Sequence, residues 1–167
     1  MKLSFVFISL LFSFFLNAQT DSLQPPYKRF PTPPPFKLLM TDSSTFFTKA
    51  DLKKKTPLMI MVFSPDCDHC KKETEELIKN IDRFKKIQIL LTTWLPFDQM
   101  KKFYEEFQLS RFENITVAWD KSFFFVPFYA LKNLPFLAFY DKEGKLISVF
   151  QGNLSMDKVA ERFGIDK

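Results

Sequence analysis

Apolar residues in this chain gather in short runs of about five, set apart by longer stretches in which Lys and Glu alternate with single hydrophobes. The short runs read as strands and the longer stretches as amphipathic helices. Residues 36–40 predict a first strand, and residues 45–51 a turn-rich connection. Leu58-Met59-Ile60-Met61-Val62-Phe63 has no polar position at all, the mark of a strand covered on both faces. Residues 68–85 predict a helix, because Leu77, Ile78, Ile81 and Phe84 fall on one side with Lys and Glu opposite. A strand follows over 87–92. The next helix, over 97–109, turns Met100, Phe103, Tyr104 and Phe107 inward, and residues 115–119 form another strand. Residues 122–131 predict a short apolar helix crossed by Pro127. Two last strands, 136–140 and 146–150, are joined by Asp141-Lys142-Glu143-Gly144-Lys145, a hairpin connection with its Gly in the turn. Ser155 is placed to cap a final helix through about residue 163. Strands alternating with helices predict an α/β class: a mostly parallel central sheet covered on both faces, with the hairpin adding antiparallel strands.

The start of the 167-residue chain follows a different pattern. After Met1-Lys2, residues 3–16 are apolar and phenylalanine-rich, and Asn17-Ala18-Gln19 puts a small residue at a cleavage point. This predicts a secretory signal peptide over residues 1–18. An uncleaved N-terminal membrane anchor is the alternative, although the stretch falls short of the ~20 apolar residues that span a bilayer. No cysteine follows it, so a lipid-anchored product is not expected. Residues 24–36 hold six of the eleven prolines, which predicts a semi-rigid extended spacer outside any core. Residues 19–35 are therefore expected as a linker and residues 36–167 as one domain, large enough for a single sizeable core. The formal net charge is +5, but acidic and basic residues are interleaved, as in Lys71-Lys72-Glu73. That suits solvated helix faces and offers no basic stripe for nucleic acid.

The candidate chemistry is concentrated in Cys67-Asp68-His69-Cys70, which holds both cysteines of the chain and its single histidine. A structural disulfide is one reading, yet closing so short a ring is worth only about 2 kcal/mol, against about 4.7 kcal/mol for a 100-residue loop. A metal site is a second reading, and it needs soft ligands that the chain lacks beyond this motif. Attachment of a c-type haem requires His after the second Cys, where Lys71 stands. Thiol–disulfide exchange fits best. At a strand-to-helix junction the free N–H groups and the helix dipole favour a thiolate, the reactive species. Cys67, the more exposed, would attack a disulfide, and Cys70, one turn further in, would resolve the mixed disulfide. A protonated His69 would stabilise the Cys67 thiolate, whereas Asp66 and Asp68 oppose it. Lys71 and Lys72 offset the aspartates as screened, solvated charges.

The order of strand, Cys-x-x-Cys, helix, further helix and strand, then Xaa-Pro before a closing hairpin resembles the thioredoxin superfamily, in particular its exported TlpA/ResA-like thiol–disulfide oxidoreductases. The likeness runs from about residue 36 to the C-terminus. Cys67-Asp68-His69-Cys70-Lys71-Lys72-Glu73 matches that group's Cys-x-x-Cys with a Glu three residues on, and Pro135 in Asn133-Leu134-Pro135-Phe136-Leu137 matches its cis-proline. The resemblance implies a thioredoxin-like three-layer α/β/α sandwich with a central mixed sheet and an inserted helix-strand unit, over residues 97–119. It also implies that Leu134 and Pro135 present backbone to a substrate peptide. Met61 stands where thioredoxins keep a buried acid, so Glu73 is the candidate proton carrier. Asp66 replaces the family's Trp, and Leu134 its Thr. The run Phe123-Phe124-Phe125-Val126-Pro127-Phe128-Tyr129 is expected mostly in the core, with a minority left as an apolar patch beside the site.

The expected function is dithiol/disulfide exchange in the periplasm, reducing disulfides of exported proteins, with an upstream membrane electron donor or acceptor and without metal or other cofactor. A DsbA-like oxidant is the close alternative, because His before the second Cys also occurs in that motif. A non-catalytic thioredoxin-fold binding module is the alternative from another class.

Overall fold

The computed structural model describes residues 24–165, so the predicted signal peptide lies outside the described residues. Among the described residues, seven strands form one mixed sheet in the order β2-β1-β5-β4-β3-β6-β7. The strands are β1 (Lys37–Met40), β2 (Phe46–Thr48), β3 (Leu58–Val62), β4 (Gln88–Thr93), β5 (Ile115–Trp119), β6 (Phe136–Tyr140) and β7 (Leu146–Gln151). The helices are α1 (Pro26–Arg29), α2 (Asp68–Lys79), α3 (Phe97–Glu106), α4 (Phe125–Tyr129) and α5 (Met156–Arg162). No helix among the described residues is long and apolar enough to cross a membrane.

The apolar strands are buried on both sides, as their unbroken hydrophobicity requires. Met59 and Met61 of β3, Ile89 and Leu91 of β4, and Leu137 and Phe139 of β6 face one core with Leu77, Phe103 and Val159 from α2, α3 and α5. The alternate positions Leu58, Ile60, Val62, Leu90, Phe136, Ala138 and Tyr140 face a second core, where Phe125, Phe128 and Tyr129 of α4 pack. Helices on both faces of a sheet make the three-layer α/β/α sandwich, and α3 with β5 supplies the inserted helix-strand unit. The expectation of a mostly parallel sheet needs correction. Only β3/β4 and β4/β5 run parallel. On one side β1 joins β5, and β2 joins β1, antiparallel; on the other β6 joins β3, and β7 joins β6, in the same sense.

Three local differences have local causes. The stretch read as a turn-rich connection contains β2, which pairs Phe47 with Leu38 before a 3-10 turn, Lys49–Asp51. The helix predicted to residue 85 stops at Lys79, because the Asn80 side chain donates to the Glu76 carbonyl at 2.9 Å and competes with the helical ladder. A separate 3-10 turn, Ile81–Phe84, then buries Phe84. The phenylalanine-rich helix is shortened to Phe125–Tyr129 between two residues with positive φ, Phe123 (57°) and Ala130 (51°). The buried Asp120 carboxylate accepts the Phe125 N–H at 2.9 Å and so fixes where that helix starts.

The proline-rich segment also differs from an extended spacer. Pro26–Arg29 is helical, Pro33 and Pro34 are buried, and Tyr27 lies 5.9 Å, ring to ring, from Tyr129. The Leu146 amide donates to the Pro31 carbonyl at 2.8 Å. Prolines suit such a strap because they have little backbone entropy left to lose on docking.

Candidate active site

The apolar run that forms β3 ends at Val62, and the chain passes through buried Phe63, half-buried Ser64 and buried Pro65 before α2 begins. Cys67 is the N-cap of α2. Its backbone is extended (φ −85°, ψ 116°), and its Sγ accepts the Cys70 N–H at 3.4 Å. A sulfur in that position meets the unpaired donors and the positive end of a 12-residue helix, which favour negative charge there. Cys67 is half-buried and Cys70 fully buried; both are free thiols. The Ser64 amide points at Cys70 Sγ from 3.5 Å. Burial nevertheless pushes the Cys70 thiol well above the usual cysteine range, so it needs a base to become a nucleophile.

Glu73 is the candidate for that base. It sits one turn beyond Cys70 and is only 4% exposed, so it is not part of the solvated charged face. Its Oε2 accepts the Asn153 Nδ2–H at 2.9 Å and the Leu154 N–H at 3.0 Å, while Oε1 is buried with no protein partner. Burial raises the carboxyl above the ordinary glutamate range, the two hydrogen bonds oppose the rise, and the charge of Glu76 adds to it. Met61, in the place of the family's usual acid, is wholly buried and apolar.

His69 is exposed, and its Nδ1 lies 2.7 Å from Asn153 Oδ1. No hydrogen bond links it to Cys67 among the described residues. Asp66, Asp68 and Lys72 are exposed and Lys71 is half-buried.

The Leu134–Pro135 peptide bond is cis. Pro135 is buried, and Leu134 packs half-buried against both cores. Because Phe136 pairs with Val62, Pro135 stands beside the end of β3, where the chain turns towards Cys67. The Pro135 carbonyl accepts the Gly152 N–H at 2.8 Å, and among the described residues no backbone group is bonded to Leu134. The same end of the sheet carries Trp94 after β4 and the half-exposed Phe123 after β5, which meet edge to face at 5.6 Å.

Sequence reasoning missed the segment that joins these parts. Gln151 Oε1 accepts the amides of Lys132 and Asn133 at 2.9 and 2.8 Å. Two residues on, Asn153 donates to the His69 carbonyl at 2.7 Å as well as to Glu73. These contacts link the end of β7 to α2 across 80 and more residues and to the proline loop across 18 and 19, so no local pattern announces them. Among the described residues no group of three or more His, Cys, Asp or Glu side chains is placed to hold a metal ion.

Residues 47–164 match the family model described as a thioredoxin-like domain. No curated protein matches the chain in sequence. Among solved structures, the chain is similar to a secreted Mycobacterium tuberculosis disulfide oxidoreductase homologous to the DsbE of E. coli (18% identity, TM-score 0.64, 76% of this chain and 92% of the other covered). It is also similar to StoA of Bacillus subtilis (13% identity, TM-score 0.58, 79% and 98% covered). A third is the exposed lipoprotein thioredoxin of Streptococcus pneumoniae (19% identity, TM-score 0.63, 77% and 96% covered). Identities this low speak for the fold alone.

Proposed function

The chain belongs to the family of thioredoxin-like domains, and from that premise we propose that it is a thiol–disulfide oxidoreductase that reduces disulfides of exported proteins. The observation that carries the reading is the asymmetry of the pair. Cys67 caps the helix where a negative sulfur is favoured, while Cys70 is buried, neutral and one turn from a buried carboxylate. A structural staple needs no such division of labour.

The Cys67 thiolate attacks one sulfur of a substrate disulfide, forming a mixed disulfide and releasing the substrate's other sulfur as a thiolate that takes up a proton from solvent. Cys70 gives its proton to the Glu73 carboxylate and attacks Cys67 Sγ. The Cys67–Cys70 disulfide forms and the second substrate thiolate leaves, taking up a proton in turn. The substrate has gained two electrons and two solvent protons; the pair has lost two electrons, one proton when Cys67 ionised and one through Glu73, which returns it to solvent. An external dithiol donor, on this reading reached through the membrane, restores the pair. His69 stands in the first turn of α2, two residues from Cys67, and is held there by Asn153. Leu134, with its unbonded backbone beside buried Pro135, pairs with an extended substrate segment, and Trp94 and Phe123 give that segment apolar surface. Export rests on the pattern of residues 1–18.

Acceleration of insulin reduction by dithiothreitol tests the enzyme; no acceleration over buffer leaves the binding-module alternative standing. Equilibration with glutathione buffers tests the direction. A potential near roughly −270 mV supports a reductase, and one near roughly −120 mV the DsbA-like oxidant.

A further inference from the structure

Four consecutive residues at the end of β7 reach both halves of the site. Gln151 holds the amides of Lys132 and Asn133, Gly152 holds the Pro135 carbonyl, and Asn153 and Leu154 hold α2. Within this segment Asn153 alone makes three side-chain hydrogen bonds, and their chemistry leaves one arrangement. Its Nδ2 protons go to the His69 carbonyl and to Glu73 Oε2, neither of which donates in this arrangement. Exchanging the amide's O and N would set oxygen against oxygen twice. Oδ1 is therefore the atom facing His69 Nδ1 at 2.7 Å, and Nδ1 must carry a proton. The neutral imidazole keeps its lone pair on Nε2. At Glu73, two N–H groups occupy Oε2, so the proton, when present, is on the unpartnered Oε1.

We propose that Asn153 is a positioning residue of the dithiol site, which fixes Oε1 of Glu73 as the proton-accepting atom and His69 as the Nδ1–H tautomer. This rests on the reading of Glu73 as proton carrier and goes beyond it. Asn153 touches neither sulfur and acts through Glu73 and the first turn of α2. When Cys70 attacks the mixed disulfide, its proton moves to Glu73 Oε1, and Oε2 keeps both N–H donors throughout. The titratable groups that face Glu73 are Cys70 and Glu76 on its own helix and, through Asn153, His69. The segment on the other side presents Asn153 and the Leu154 amide, neither of which titrates.

The test follows release of a mixed disulfide at Cys67 in the full-length chain against pH. Asn153→Ala and Asn153→Asp are expected to slow release by about tenfold or more at neutral pH and to move its midpoint upward, Asp further than Ala. Glu73→Gln is expected to abolish that pH dependence, and adding Asn153→Ala to it to leave the flat pH profile flat. Gln151→Ala, which frees the proline loop instead, is expected to raise KM for a disulfide peptide and leave the midpoint alone. An Asn153 variant that lowers Tm with an unmoved midpoint overturns the proposal, since a spacer would do that. NMR titration of the Glu73 carboxyl carbon and the His69 ring nitrogens decides without any turnover. A protonated Nδ1 in the wild type and an upward shift of Glu73 in Asn153→Ala support positioning; an Nε2–H tautomer or an unmoved Glu73 overturns it. A wild-type protein that exchanges no disulfides while passing the NMR test overturns the proposed function and leaves the geometry standing.

Discussion

At the scale of single residues, Glu73 and Cys70 show how burial sets chemistry. Each is an acid taken out of water, and each has its neutral form favoured for that reason. For Glu73 this has a definite sign in stability. A carboxyl raised on folding contributes stability that is complete below the unfolded glutamate's range and is lost as pH rises through its folded value. Glu73→Gln, which cannot ionise, is therefore expected to be more stable than the wild type at pH 8, with the advantage shrinking as pH falls towards 4; urea titrations at several pH values measure this. The same variant is expected to slow resolution of the mixed disulfide by about 100-fold at neutral pH. Cys67→Ala is expected to lose exchange by at least ~1,000-fold, and Cys70→Ala to accumulate mixed disulfides through Cys67, seen on non-reducing gels. Trapping by Cys67→Ala instead would reverse the two roles. The motif, the Glu three residues beyond it and the proline were all legible in the sequence, because each is a local pattern. Asn153 was not, since its partners lie 80 and more residues away and are chosen by where β7 ends.

Individual elements show where propensity yields to packing. Strand β3 and hairpin β6–β7 were legible because their apolar runs and Gly-containing turn have one reading each. The end of α2 was not, because the apolar face continues to Phe84 while the Asn80 side chain ends the ladder. Helix α4 is joined to β6 by one buried polar contact, Tyr129 to Tyr140 at 2.6 Å between hydroxyls. Tyr140→Phe leaves the Tyr129 hydroxyl buried without a partner and is expected to cost about 1–3 kcal/mol in urea unfolding. The double change to Phe at both positions is expected to recover most of that loss, because no polar group is then stranded. Equal losses in the single and double variants would show that shape, and not the hydrogen bond, is what the pair contributes.

At the scale of the whole molecule, the parallel trio β3, β4 and β5 sends its C-terminal ends to the same side, and β6 starts there. That convergence brings Cys67, Trp94, Phe123 and Pro135 to one end of the sheet. The proline-rich strap belongs to this scale as well. Tyr27→Ala is expected to lower the urea midpoint with an unchanged m value, at a cost of about 1 kcal/mol, where an extended spacer would show no change. The sequence by itself determined the α/β alternation, the two-sided burial of the central strands and the dithiol at a helix start, because each follows from hydrophobic period and neighbouring residues. Only the tertiary structure decided the antiparallel flanks of the sheet, the docking of the prolines, the burial of Glu73 and the reach of residues 151–154 across the site. Those depend on which distant segments meet, and period and composition along a chain carry no information about that.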